Sequence, residues 1–126
     1  MKSREANILL IDDDYIVLKA TELALEVYGY KANIAEGGSD AIKVILANPE
    51  KYKIIILDLM MNDTNGYEVL ARLKDTIEQN NIVVIIHSGI NNSFEIEKAK
   101  HHGAREFISK PYTIDQLIEI LQKYQS

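Results

Sequence analysis

The chain has 126 residues, the size of one ordinary domain with a core of its own. Its 47% hydrophobic and 26% charged content is that of a soluble globular protein, and its net charge of −5 disfavours non-specific nucleic-acid binding, which needs a basic face. Cysteine is absent, which excludes a disulfide framework and a cysteine-based zinc site and fits a reducing cytoplasm. The opening MKSREANILLIDDD is unlike a secretory leader, and no apolar stretch approaches the ~18 residues of a membrane span.

In chain order, the first apolar run is Ile8–Ile11, too short for a helix and apolar throughout, the pattern of a strand buried on both faces. Three aspartates, Asp12 to Asp14, end it. A helical stripe follows in Val17, Leu18, Thr21, Ala24, Leu25 and Tyr28, closed by Gly29 where a helix C-cap is expected. Ala32–Ala35 is a weaker strand, suited to an edge, and Ala41, Ile42, Ile45 and Leu46 predict a second helix. Ile54–Leu57 is the third strand and ends at Asp58; Val69, Leu70, Leu73 and Ile77 make the third helical stripe. Ile82–Ile86 is the fourth strand. Phe94–Lys100 is a shorter, more polar helix ending near Gly103. Glu106–Ile108 is a second weak strand. TIDQ, Thr113 to Gln116, predicts a capping box for a last helix with Leu117, Ile118, Leu121 and Tyr124 inward. Residues 1–126 thus read as a single βαβαβαβαβα domain: α/β, an open parallel sheet with helices on both faces.

Ligands in such sheets bind at the carboxyl ends of the strands. Those ends carry Asp12 to Asp14, Asp58, the HSG of His87 to Gly89, and Lys110 with Pro111. Clustered carboxylates cannot all stay ionised without a counter-charge. Lys110 supplies one, and a hard divalent cation with oxygen ligands would supply more. Carboxylates, a hydroxyl and an ammonium around such an ion suit phosphoryl transfer, with a carboxylate as nucleophile forming an acyl phosphate.

These motifs resemble the response-regulator receiver domains of two-component signalling, over nearly the whole chain. The likeness rests on the acidic pair after the first strand, on ILDLMMNDTNG around the third, on a serine followed by a small residue, and on SKP after the fifth. Gly66, Ser88 and Lys110 follow Asp58 by eight, thirty and fifty-two residues, the family's spacings. The resemblance implies a flavodoxin-like fold of strand order 2-1-3-4-5 with five helices. It implies that Asp58 is the phosphoacceptor, served by a histidine kinase or phosphotransfer protein. It implies that Asp12 and Asp13, with Asp58 and the backbone carbonyl of Met60, bind Mg²⁺ (or Mn²⁺). Lys110 then pairs with Asp58 or its phosphoryl group, Ser88 is the switch hydroxyl, and Gly89 leaves the phosphoryl group access. Phe107 matches the aromatic switch position, with plain core packing the other reading. The Lys110–Pro111 bond is often cis in the family, which sequence does not show. Such a domain catalyses its own phosphorylation and slow dephosphorylation but is a signalling domain rather than an enzyme.

The chain departs from the family pattern at Asn62, where proline is usual, so the loop after Asp58 is expected to be less rigid. Met60 and Ile90 flank the site and offer no acid or amide to orient water, which predicts slow to moderate self-hydrolysis. Strand alternation points His87 away from the cleft as a buried structural residue. Asp14 is read as a helix N-cap, Asp63 as solvent-exposed, and His101 and His102 as helix-terminal cations without chemistry. A haloacid-dehalogenase-type phosphatase would need an acid where Met60 stands, and a flavodoxin-like cofactor domain would need a phosphate-cradling glycine loop where the aspartates stand. The remaining alternative is a receiver-like binding module that works without phosphate. The family's output face, made by the fourth helix, fifth strand and fifth helix, would carry Phe94, Ile96, Phe107 and Tyr112. The last helix lacks the arginine-rich dimer face of the DNA-binding subfamily. The chain reads either as a stand-alone regulator acting on a protein partner or as a piece of a longer one, with no nucleic acid or membrane contacted by the domain itself.

Overall fold

A computed structural model describes residues 6–90 and 92–124; the first five residues of the opening stretch and the last two of LQKYQS lie outside them. The elements run β1 (Ile8–Asp12), α1 (Tyr15–Val27), β2 (Ala32–Glu36), α2 (Gly38–Ala47), β3 (Ile54–Asp58), α3 (Gly66–Asn80), β4 (Val83–Ser88), α4 (Ser93–His101), β5 (Glu106–Ser109) and α5 (Ile114–Gln122). All strand pairs are parallel, in the order β2-β1-β3-β4-β5. The two weak apolar runs, β2 and β5, are the edges, where one flank of the strand lacks a neighbour.

Two-sided burial explains the unbroken apolar runs. Leu9, Ile11, Ile55, Leu57, Val84 and Ile86 point to one face and meet Ile42 and Ile45 of α2 and Val69 and Leu73 of α3. Ile8, Leu10, Ile54, Ile56 and Ile85 point to the other and meet Leu18 and Leu25 of α1 and Leu117 and Leu121 of α5. Each such isoleucine or leucine contributes about 1.5–3 kcal/mol by leaving water. The buried helical stripes are narrower than the periodicity suggests. Val17 (37% exposed), Tyr28 and Leu46 lie outside the core because helices flanking a sheet bury only the residues directly over it. On α4, Ala99 alone is buried.

The helix ends follow side-chain chemistry. The Asp14 carboxylate accepts from the Ile16 and Val17 N–H groups and caps α1. At α5, Thr113 Oγ1 accepts from Gln116 N at 3.2 Å and Gln116 Oε1 accepts from Thr113 N at 2.8 Å, the capping box expected from TIDQ. Gly29 and Gly103 follow α1 and α4 at φ 88° and 106°, a backbone region that side chains resist. Among the described residues no helix is long and apolar enough to cross a membrane.

Candidate functional site: an acid pocket at the strand ends

β1 and β3 are neighbours whose connections leave to opposite sides, so their carboxyl ends open the crevice in which Asp12 and Asp58 stand. Both are almost fully buried, at 1% and 6% exposure. Lys110, entering from the end of β5, lays its Nζ between them, 2.6 Å from Asp12 Oδ2 and 3.0 Å from Asp58 Oδ2. The other oxygens accept backbone N–H groups: Asp12 Oδ1 from Asp14 at 3.0 Å, Asp58 Oδ1 from Met60 at 3.1 Å. Asp13 completes the cluster, since one carboxylate oxygen from each of Asp12, Asp13 and Asp58 lies within 4.8 Å of the others.

Burial dominates the electrostatics. It raises the Asp58 pKa above the ordinary carboxylate value, and the charge of Asp12 adds to that, against the pull of the Met60 N–H and Lys110. Asp12 is pressed upward by burial too, but the Lys110 ammonium and the Asp14 N–H outweigh it and hold its pKa low. Burial would lower Lys110, yet its bonds to Asp12 and then Asp58 raise it, so it stays charged. Two buried carboxylates therefore share one ammonium, and the pocket carries an excess of negative charge. Three oxygen donors on that excess are the donor set of a hard divalent cation, so the residues fit Mg²⁺.

Of the other expected residues, Ser88 ends β4, Gly89 follows it and Phe107 lies within β5. Ser88 is fully buried at the end of β4, and its Oγ accepts from Ile90 N at 3.1 Å, which leaves its own O–H to donate. A methyl group at Gly89 would meet open space. Phe107 is half-buried and packs on the core beneath α2 and α3. Met60 and Ile90 are exposed, and Phe94 is 72% exposed on α4. The Lys110–Pro111 bond is cis. Gly66 is set by close approach: a Cβ there would stand 2.8 Å from the Asp58 carbonyl oxygen and 2.9 Å from Leu59 Cα.

One expectation needs correction, and two gain a partner that the sequence did not show. His87 does not point away from the acids. It is the register partner of Asp58, so the two side chains leave the sheet on the same side, and its Nε2 lies 3.7 Å from Asp12 Oδ2. The loop after Asp58 is tied in spite of Asn62, whose N–H donates to Asp13 Oδ2 at 2.9 Å, a bond that proline could not make. Asp63 is exposed as expected, yet its carboxylate accepts from Gly38 N (3.1 Å) and Ser39 N (3.0 Å) and caps α2. The N-caps Asn65 and Asn92 went unread, although an asparagine three residues before a glutamate was the available signal. So did the solvent row Ile16, Leu23 and Val27 of α1, 77%, 55% and 85% exposed, which shares one helical face running from the pocket end of the helix to its far end.

A five-stranded doubly wound α/β domain with an acid pocket closed by a lysine at its carboxyl edge is the class that fold and site define. The chain belongs to the response regulator receiver domain family, whose model matches residues 8–122. Protein PilH of Pseudomonas aeruginosa is 29% identical over 116 residues, covering 92% of this chain and 94% of that one. The transcriptional regulatory protein GlrR of Escherichia coli is 31% identical over 121 residues, 96% of this chain but 26% of GlrR, so the chain spans about a quarter of that relative. Among solved structures, the receiver domain of the Francisella response regulator 1452 is 27% identical with a TM-score of 0.83, covering 97% of this chain and 100% of that one. The Vibrio cholerae chemotaxis protein CheY4, at 21% identity, 97% and 100% coverage and a TM-score of 0.84, shares the fold. Receiver domains belong to two-component systems, interact with histidine kinases or phosphotransfer partners, bind Mg²⁺ at an acidic pocket, and are signalling domains rather than classical enzymes.

Proposed function

We propose that residues 1–126 form one cytoplasmic receiver domain that accepts a phosphoryl group on Asp58 from a histidine kinase or phosphotransfer protein, and thereby switches a partner-binding face. The observation that carries this reading is the Lys110 ammonium bridging Asp12 and Asp58 beside Asp13. Asp12, Asp13, the Asp58 carboxylate and the Met60 carbonyl would hold Mg²⁺ or Mn²⁺. Bound there, the ion supplies positive charge against the transferring phosphoryl oxygens.

In the transfer, an Asp58 carboxylate oxygen forms the new bond to phosphorus. The phosphorus–nitrogen bond of a donor phosphohistidine breaks, and its electron pair leaves with the imidazole, which takes up a proton. Lys110 already touches the accepting carboxylate and holds the product's negative oxygens. Ser88, with its O–H unspent, donates to a phosphoryl oxygen. Gly89 keeps the approach open. The new charge biases a two-state equilibrium read on the face of α4, β5 and α5, where Phe94 is exposed and Phe107 is packed but not sealed in. The donor docks alongside the pocket, where the exposed row of α1 offers an apolar strip to a helical partner.

The test is intact mass after incubation with acetyl phosphate, with and without Mg²⁺, for the wild type and Asp58→Asn. The reading requires a Mg²⁺-dependent gain of one phosphoryl group that the variant lacks. No gain would leave a phosphate-independent binding module.

A further inference from the structure

One buried titratable side chain beside the pocket has no part in the transfer just described. His87 is 2% exposed at the end of β4, with Nδ1 3.0 Å from the Tyr112 hydroxyl and Nε2 3.2 Å from the Ile11 carbonyl oxygen. A carbonyl only accepts, so Nε2 carries the proton. With the Nε2 proton spent on that carbonyl, Nδ1 is the acceptor end of a buried, uncharged imidazole. Tyr112 donates to it. The tyrosine keeps its proton, since burial pushes its pKa up to about 12.

The three segments joined by this ring border the pocket. Ile11 precedes Asp12, His87 itself precedes Ser88, and Tyr112 follows Lys110 by two residues. The Lys110 N–H also donates to the Ser88 carbonyl at 2.8 Å, so the ends of β4 and β5 are already pinned. Only the segment after Lys110 needs a further anchor, and the hydroxyl of Tyr112 provides it, one residue before the Thr113 cap of α5.

We propose that His87 is a positioning residue: held in one tautomer by Tyr112, it fastens the loop after Lys110 to the ends of β1 and β4 and so sets where the ammonium meets Asp12 and Asp58. This rests on the phosphoacceptor reading of Asp58. It also joins α5, on the output face, to the pocket through one hydrogen bond. Phosphoryl transfer depends on placement more than on covalent chemistry, so slack in the lysine appears as lost rate.

Tyr112→Phe removes the hydroxyl and keeps the ring in the core. At saturating acetyl phosphate and Mg²⁺ its rate of aspartyl phosphorylation is expected to fall roughly three- to tenfold, the worth of one hydrogen bond. The half-saturating donor concentration stays unchanged, and the thermal midpoint falls by no more than the loss of one buried hydrogen bond accounts for. Nitrogen NMR of the metal-free wild type shows a bare, hydrogen-bonded Nδ1 and a protonated Nε2 at His87, and Tyr112→Phe loses the Nδ1 signature. His87→Gln, which keeps an acceptor and an N–H donor on one planar head, retains more rate than His87→Leu. A Tyr112→Phe rate within about twofold of wild type, below the worth of one hydrogen bond, overturns the proposal. So does a proton found on Nδ1, or a loss that tracks the thermal midpoint with His87→Gln no better than His87→Leu. A wild type that takes up no phosphoryl group refutes the Asp58 reading itself and removes the positioning role with it; the tautomer lock then stands or falls on the NMR spectrum alone.

Discussion

His87 is one side chain through which acid should cost this protein stability. His87 is buried and neutral when folded, with its pKa pushed down to about 4 from an ordinary 6.5 by burial and by the nearby Lys110 charge. In the unfolded chain the imidazole takes up a proton near its ordinary value. Between those two values the unfolded state holds the extra proton, so falling pH favours unfolding and stability rises with pH. The gap is worth about 3 kcal/mol once both forms are titrated, and about 2 kcal/mol of it is lost between about pH 8 and about pH 5. For a chain of this size that is roughly 6–10 °C in thermal midpoint. The assay is urea unfolding in EDTA across that range, followed by far-ultraviolet circular dichroism, with His87→Gln as the non-titrating reference. The carboxylates titrate in both proteins, so the difference between the two curves isolates the imidazole. Parallel curves would refute the reasoning, because they would mean that His87 takes up protons as readily in the fold as outside it.

Gly66→Ala should destabilise by about 1–3 kcal/mol, because its methyl group has backbone rather than a flexible side chain to displace; urea unfolding measures it, and a neutral result would show that the Asp58–Leu59 backbone gives way. Thr113→Ala removes one half of the α5 capping box and should cost about 1 kcal/mol, read as a lower thermal midpoint. Asp63→Ala uncaps α2 and should cost about as much above the ordinary carboxylate pKa. The Asp63 pKa is lowered, first by the Ser39 N–H, so this difference from wild type is present above pH 3.8 and fades as pH falls through the lower folded value.

The sheet was legible because parallel strands covered on both faces need unbroken apolar runs, and Ile54–Leu57 and its fellows have little other use. Asp12, Asp13, Asp58 and Lys110 were legible for a related reason, since a charge that ends such a run must sit where the strand leaves the core. What sequence did not show depends on partners far along the chain. The N–H of Asn62 finds Asp13 and the carboxylate of Asp63 finds α2, and neither contact has a local signature. The direction of His87 follows from its register against β3: alternation along β4 separates it from Ser88, but pairing with Asp58 puts it on the acid side.

The bridge from Lys110 to Asp12 joins residues ninety-eight apart, on strands that are not neighbours: β1 and β5 are separated in the sheet by β3 and β4. It closes only after every strand between them has been laid down in register. A chain stalled with its last strand undocked still exposes Asp58 but has no ammonium beside it. The counter-charge of the acid pocket is thereby made contingent on completed folding, and a half-made sheet leaves Asp12 and Asp58 without their shared ammonium.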